Sequence, residues 1–268
     1  MIDWTDAFEN GAYIDGAAEM REQWQTDAAA LRESHGKAVL GVSYGDAPRN
    51  AYDLFHAAAP KGTVIFVHGG YWHQTDRSWW SHLAAGPLAH GWSVAMPSYT
   101  LAPEARISRI TAEIAQAITA IAAAQDGPLR LIGHSAGGHL VSRMFCPGVL
   151  SAEVRDRIEH TVSVSGVHHL EPLMKARMND VLQLDATEAA LESPALSVPE
   201  EGISITFWVG AAERPEFLRQ NRLIGERWSQ AGAAVDEHYL AGENHFSVID
   251  QLRDPESPLT QRLLSQMI

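Results

Sequence analysis

The stretch Gly133-His134-Ser135-Ala136-Gly137 decides the fold of this chain. It follows an apolar run at residues 129–132 and precedes a helix-like run at residues 138–145. A G-x-S-x-G sequence between a strand and a helix is typical of a sharp turn that lifts the serine hydroxyl out of the backbone. Small flanking residues let the strand and the helix pack close to that turn. We therefore predict that Ser135 is a nucleophile at the carboxyl edge of a parallel sheet.

Short apolar runs on both sides of this turn predict a layered α/β fold. Alternation of strand and helix indicates a mostly parallel sheet with helices on both faces. Only a turn separates the first two strands, so that edge of the sheet is predicted to be antiparallel. The predicted strands are residues 38–44, 51–57, 63–67, 92–96, 129–132, 161–164, 203–209 and 235–240, and the main predicted helices are residues 107–124, 215–231 and 259–268.

The length and composition fit a single domain over residues 1–268. The chain is 46% hydrophobic and 20% charged, which is ordinary for a globular enzyme or binding protein. Residues 1–36 are polar but carry four large aromatic side chains, so we expect them to pack on the body as a cap-like segment. Residues 166–202 contain no obvious strand and are predicted to form a second part of the cap.

Charge and hydropathy limit the classes of partner. The net charge of −13 argues against nucleic acid. No run approaches about 18 apolar residues, so no membrane span is predicted. The acidic N-terminus does not resemble a signal peptide, and a single cysteine, Cys146, allows no internal disulfide, so we expect a cytoplasmic protein. The predicted partner is a small-molecule substrate, no cofactor is predicted, and a homodimer is left open.

A serine nucleophile needs a histidine base, and that histidine needs a carboxylate to fix its tautomer. In this architecture the chain order is serine, acid, histidine. His245 follows the last predicted strand, where the base is expected. Glu213 occupies the loop after strand 203–209 and is the predicted acid. Glu216 is the alternative, but it lies in the first turn of a helix, where the helix dipole already explains an acid.

The segment His68-Gly69-Gly70-Tyr71-Trp72 follows the predicted strand 63–67 and is the candidate oxyanion loop. Backbone N–H groups are needed to stabilise the negative oxygen of a tetrahedral intermediate. We predict that they come from Ala136 and from Gly70 or Tyr71. His68 is expected to hold the loop by hydrogen bonds, and His68, Gly69 and Trp72 are predicted to border the substrate.

Other conspicuous side chains are given structural roles. Trp79 and Trp80 are predicted to be packing residues rather than a substrate platform, and His139 to be structural. The pair His168-His169 resembles metal ligands, but no third ligand stands at a known spacing, so no metal is predicted.

With these motifs the chain resembles α/β-hydrolases of the arylformamidase (kynurenine formamidase) group, near the hormone-sensitive-lipase-like esterases. The elbow, the loop at residues 68–72 and the Tyr99-Thr100-Leu101-Ala102-Pro103-Glu104 segment carry the resemblance, together with the acid loop and Asn244-His245-Phe246. The resemblance covers roughly residues 50 to 250. It implies an α/β-hydrolase fold, with Ser135 as nucleophile, Glu213 as acid and His245 as base.

The same resemblance implies cleavage of an aryl formamide such as N-formylkynurenine, with release of formate. Two departures from the group are visible. Glu213 stands where the group usually has aspartate, and His168-His169 stand where it often has an aspartate-containing segment. A carboxylesterase acting on small acyl or aryl esters is the alternative. A non-catalytic ligand-binding protein is the alternative from another class, since a fold does not fix a function.

Overall fold

The computed structural model describes residues 2–265 and contains one eight-stranded sheet in that range. The strand order is β1-β2-β4-β3-β5-β6-β7-β8, and β3 to β8 run parallel to one another. Both pairings of β2 are antiparallel, and the short turn between β1 and β2 predicts the first of them. The strands are β1 Ala38–Ser43, β2 Ala51–Phe55, β3 Thr63–Val67, β4 Ser93–Pro97, β5 Leu129–His134, β6 Ile158–Val164, β7 Ser204–Gly210 and β8 Ala234–Leu240.

Helices cover both faces of the sheet, which confirms the predicted α/β-hydrolase architecture. The α-helices are α1 Trp4–Ala7, α2 Ala17–Ser34, α3 Ala85–Ala89, α4 Ile107–Ala124, α5 Ala136–Arg143, α6 Ala152–Arg155, α7 Asn179–Leu182, α8 Ala186–Leu191, α9 Pro215–Gln230, α10 Ser247–Asp250 and α11 Pro258–Leu264. Short 3-10 helices lie at Gly11–Tyr13, Arg77–Trp79, Ser81–Ala84, Glu171–Lys175, Pro194–Leu196 and Gln251–Arg253. The predicted closing helix 259–268 corresponds to α11, and its last three residues lie outside the described range.

Two apolar layers sandwich the sheet. Helix α4 supplies Ile110, Ile114 and Ile118 to one layer, which α5 and α9 complete. Helix α2 supplies Trp24 to the other layer, where α10 and α11 also pack. The central strands β3 and β5 are buried on both faces, and β3 is accordingly a run of apolar residues after Thr63. In β5 the apolar run is interrupted by the buried Arg130. Across residues 2–265, no helix is both long and apolar enough to cross a membrane.

The two segments expected to form the cap take different positions. The N-terminal segment packs on the body: the Tyr71 hydroxyl donates to the Phe8 carbonyl at 2.8 Å, and Arg214 pairs with Asp6. Residues 166–202 form short helices that pack against α4 and α9, with Glu188 bonded to the Ser108 hydroxyl at 2.7 Å. Only the N-terminal segment contributes side chains to the cavity described below.

Buried neutral histidines make the fold sensitive to acid. Burial lowers the pKa of His68 and of His139 to about 4, and that of His160 to about 3. The unfolded chain binds protons at these residues below pH 6.5. The native state does so only near pH 4 and below, so stability is lost progressively as the pH falls from 6.5 to 4.

We expect the free energy of unfolding to fall steeply with pH in that window. Each such histidine contributes a slope of up to about 1.4 kcal/mol per pH unit, so the three together approach about 4 kcal/mol per unit near pH 5. Urea unfolding measured at pH 7, 6 and 5 checks this. A free energy of unfolding that stays constant from pH 7 to pH 5 would contradict the neutral buried state of these side chains.

Candidate active site

The turn at Ser135 connects β5 to α5 in a strained conformation. Ser135 has φ 57° and ψ −115°, a backbone region that a non-glycine residue rarely adopts. A Cβ on Gly137 would lie 1.9 Å from the Val67 carbonyl oxygen, so only glycine lets α5 approach β3 this closely. The amide of Ser135 donates to the Val164 carbonyl at 2.8 Å, which anchors the turn to β6. The strain is thus held in place by the sheet.

Ser135 and His245 line the same cavity, which measures about 410 Å³. The cavity lies beyond the carboxyl ends of the parallel strands, where such sheets bind ligands. Its lining consists of Arg21, Trp24, Gly70, Tyr71, His73, Gln74, Thr75, Trp79, Trp80, Leu101, His134, Ser135, His245 and Phe246.

His245 is bonded to the predicted acid. Its Nδ1 lies 2.6 Å from Oε2 of Glu213, and both side chains are buried. Because the carboxylate accepts, Nδ1 carries the proton, and Nε2 is left as the basic nitrogen. The Ser135 hydroxyl makes no hydrogen bond among the described residues. The hydrogen bond between a nucleophilic serine and its histidine base is often long in a ligand-free enzyme and tightens when substrate binds.

Two further groups hold the Glu213 carboxylate. Its Oε1 accepts from the Ser165 hydroxyl at 2.5 Å and from the Gly210 amide at 2.8 Å. Two hydrogen bonds on one oxygen leave the other oxygen directed at His245. The glutamate, one methylene longer than the aspartate usual at this position of the resembled group, therefore still reaches the imidazole. Ser165 lies just after β6 with φ 52°. Sequence reasoning gave Ser165 no role at the site, and its position after a strand was the only signal.

The alternative acid, Glu216, is bonded elsewhere. Its carboxylate accepts from Arg219 at 2.6 and 2.7 Å and from the Gln220 amide at 2.7 Å, all within α9. The geometry therefore selects Glu213 as the partner of His245.

The candidate oxyanion loop approaches the turn at Ser135 closely. A Cβ on Gly69 would lie 2.7 Å from the His134 carbonyl and 3.0 Å from Ser135 Cβ, so glycine is required for this approach. Among the described residues, the N–H groups of Gly70, Tyr71 and Ala136 have no protein acceptor. Gly70 and Tyr71 also line the cavity. These three donors are therefore available to an oxygen placed beside Ser135.

His68 and Trp72 lie outside the cavity lining. His68 is stacked on Tyr99, with ring centroids 4.4 Å apart, and its Nδ1 is 3.1 Å from the Thr75 hydroxyl. Trp72 has φ 58°, which turns its ring into the core, where Nε1 donates to Nδ1 of His139 at 3.3 Å. Gly69 is likewise absent from the lining. His68 and Trp72 brace the loop through these contacts, and the predicted contacts of the three residues with substrate stay predictions.

Aromatic rings from other parts of the chain form the cavity wall. The Trp24 ring lies 5.0 Å from the rings of both Trp80 and Phe246. Trp79 completes this wall, so Trp79 and Trp80 pack and line the cavity at once. The contribution of Trp24 could not be read from the sequence, because it depends on how α2 docks.

His134 fixes the backbone at His245. Its Nε2 donates to the His245 carbonyl at 2.8 Å, and the two rings lie 4.7 Å apart. Burial, with a smaller contribution from the charge on His245, holds the pKa of His134 well below its usual value. His134 therefore stays neutral beside the candidate base.

The pair His168-His169 lies outside the cavity, and the backbone amides of both residues donate to Gln220 Oε1. Among the described residues, no group of three metal-ligating side chains clusters.

Comparison with known proteins agrees with this architecture. The profile described as "Alpha/beta hydrolase family" matches residues 64–264. A kynurenine formamidase from Danio rerio is 27% identical over 242 residues, covering 87% of this chain and 82% of that protein. A kynurenine formamidase from Drosophila melanogaster is 26% identical over 262 residues, covering 91% of this chain and 83% of that protein.

A solved structure is similar over nearly the whole length. The crystal structure of a "putative thioesterase" from Silicibacter sp. TM1040 has a TM-score of 0.94 and 45% identity, covering 99% of this chain and 100% of that chain. An esterase from Pyrobaculum calidifontis has a TM-score of 0.67 at 14% identity, covering 92% of this chain and 91% of that chain, and supports the fold alone.

Proposed function

Because the chain belongs to the Alpha/beta hydrolase family, we propose that it is a serine hydrolase that cleaves aryl formamides such as N-formylkynurenine. The observation that carries the proposal is the 2.6 Å contact between His245 Nδ1 and Glu213, in a cavity that Ser135 also lines. A serine that shares a cavity with a histidine oriented by a carboxylate supports nucleophilic catalysis.

The proposed reaction has two steps. The Ser135 hydroxyl attacks the formyl carbon while His245 Nε2 takes its proton, and the oxyanion is bound by the N–H groups of Ala136 and of Gly70 or Tyr71. The imidazolium, stabilised by Glu213, then gives its proton to the departing aniline nitrogen, and the C–N bond breaks. Water activated by the same histidine hydrolyses the formyl ester of Ser135. Formate leaves, and the serine regains its proton.

Two features support a formamide with an aryl leaving group. The wall of Trp24, Trp79, Trp80 and Phe246 offers flat apolar surfaces to an aromatic ring. Two relatives that align with most of this chain are kynurenine formamidases. The same constellation also hydrolyses esters, and the similarity to the "putative thioesterase" makes an ester or thioester the second candidate.

Comparing the rates for three substrate classes tests whether the protein is a formamidase or an esterase. Single-turnover rates should be measured for N-formylkynurenine, p-nitrophenyl acetate and a short acyl thioester, each divided by its uncatalysed hydrolysis rate. We expect the largest acceleration for the formamide, by roughly 10-fold or more, because a positioned aryl group contributes binding energy at the transition state. The Ser135→Ala variant serves as the blank. A larger acceleration for the ester or the thioester would assign the protein to the second candidate.

A further inference from the structure

Arg21 brings a positive charge to the cavity. Its side chain is part of the lining, and the other lining residues include no lysine, no second arginine and no acidic side chain. Within residues 2–265, Arg21 forms no ion pair with any acid. This contrasts with Arg214 and Arg253, which pair with Asp6 and Asp27 of the same N-terminal segment. Arg21 is exposed to solvent, and it is the one arginine or lysine among the described residues that line this cavity.

The guanidinium is positioned by aromatic contacts. Its central carbon lies 5.0 Å from the centroid of the Phe246 ring, within the range of a cation–π interaction. The Trp24 ring lies 5.0 Å from the same ring, and Trp24 is one helical turn beyond Arg21 on α2. Among the described residues, the N–H donors of this guanidinium have no protein acceptor. Because Arg21 is exposed, these donors can exchange water for a ligand.

Arg21 lies near the side-chain hydroxyl of Tyr71, which also contacts Phe8 and Asn10 of the N-terminal segment. Burial raises the pKa of the Tyr71 hydroxyl to about 12, Glu9 also raises it, and Arg21 opposes the rise. The Glu9 carboxylate is a neighbour of Arg21, since Arg21 Nη2 and Glu9 Oε1 would lie 3.4 and 3.5 Å from a Cβ placed on Gly11. Glu9 is outside the cavity lining. The guanidinium thus stands close enough to the cavity to act on a bound molecule.

We propose that Arg21 forms a carboxylate subsite, so that the preferred substrates carry a carboxylate on the leaving group, away from the bond that Ser135 attacks. An arginine guanidinium presents paired N–H donors in a planar fork that matches the two oxygens of a carboxylate. The aromatic wall beside it would hold the apolar middle of such a molecule. This inference rests on the proposed hydrolytic site, and it names the charge of the substrate rather than its acyl group.

Matched substrates that differ only in this charge test the subsite. One pair is 4-(2-formamidophenyl)-4-oxobutanoate and its primary amide. A second pair is 4-(2-acetoxyphenyl)-4-oxobutanoate and its primary amide, in which an acetate ester replaces the formamide and a phenol replaces the aniline as leaving group. For the wild type we expect kcat/KM for the carboxylate to exceed that for the amide by roughly 10- to 100-fold, mainly through KM, as expected for a charge-assisted hydrogen bond. Equal values for both members of each pair would overturn the proposal.

Variants of α2 assign the preference to Arg21. Arg21→Gln should lower the carboxylate-to-amide ratio by roughly 10- to 100-fold, and Arg21→Lys should restore part of it, because an ammonium keeps the charge without the planar fork. Glu22→Gln, on the same helix, should leave the ratio unchanged. Damage to packing would lower both members of a pair equally and cancel in the ratio. A ratio that Arg21→Gln leaves intact would overturn the proposal. A preference seen with the esters while both formamides resist cleavage would uphold the subsite and reject the formamidase function.

Discussion

Replacing Ser135 with alanine should lower kcat by about 10⁴- to 10⁶-fold, the range expected when the nucleophile of such a constellation is removed. The attacking oxygen is lost, and His245 has no hydroxyl to deprotonate. The free energy of unfolding should change by less than about 0.5 kcal/mol, because within residues 2–265 the Ser135 hydroxyl has no hydrogen-bond partner that would be left unpaired. Steady-state hydrolysis and urea unfolding measure the two effects.

An exposed serine provides the matched control for this experiment. Ser229 lies near the end of α9, on the solvent side. Ser229→Ala should keep full activity and stability. If Ser135→Ala retained more than about a hundredth of wild-type kcat while folded, Ser135 would not be the nucleophile, since loss of a nucleophile costs far more.

Replacing Glu213 with glutamine should lower kcat by about 10³- to 10⁴-fold, as expected when the group that fixes the histidine tautomer is lost. An amide can turn its NH₂ group toward His245 Nδ1, which then accepts, so that Nε2 carries the proton and cannot act as the base. The glutamine keeps the size of the side chain, so the Ser165 and Gly210 contacts on the other oxygen can persist. Steady-state kinetics on the best substrate of the panel measures the loss.

Two companion variants separate the charge of Glu213 from its reach. Glu213→Asp keeps the charge but shortens the side chain by one methylene, so it should lose activity unless the loop moves toward His245. Glu216→Gln changes the neighbouring acid, which is bonded within α9, and should leave kcat within about twofold of wild type, as is usual for a substitution away from the site. Wild-type activity in Glu213→Gln would contradict its assignment as the partner of His245.

Local sequence signals were sufficient for the strands and for the contact between Glu213 and His245, while the catalytic roles stay predictions. Each predicted strand overlaps an observed one. For buried strands such as β3 the reason is a continuous apolar run between turn residues. Ser135, Glu213 and His245 each lie near the end of a strand, and the order of the chain then assigns their roles. The exchange of β3 and β4 in the sheet order was not predicted, since it depends on how distant crossovers pack.

The cavity wall was predicted less well, for a physical reason. Whether a tryptophan faces the core or the cavity depends on single backbone angles and on how helices dock. A positive φ turns Trp72 inward, whereas the neighbouring 3-10 helices leave Trp79 and Trp80 at the cavity. Arg21 and Trp24 reach the cavity only because the N-terminal segment packs there, and Ser165 contacts Glu213 only across two neighbouring strands. None of these contacts has a local sequence signature.

Covalent labelling tests the central claim most directly. A fluorophosphonate reacts with a serine that a neighbouring base has activated, and peptide mass spectrometry then identifies the modified residue. The account predicts one phosphonyl group on the peptide that contains Ser135, no label in Ser135→Ala, and slow labelling in Glu213→Gln. Folded wild-type protein that stays unlabelled, or that carries the label on another residue, would contradict it.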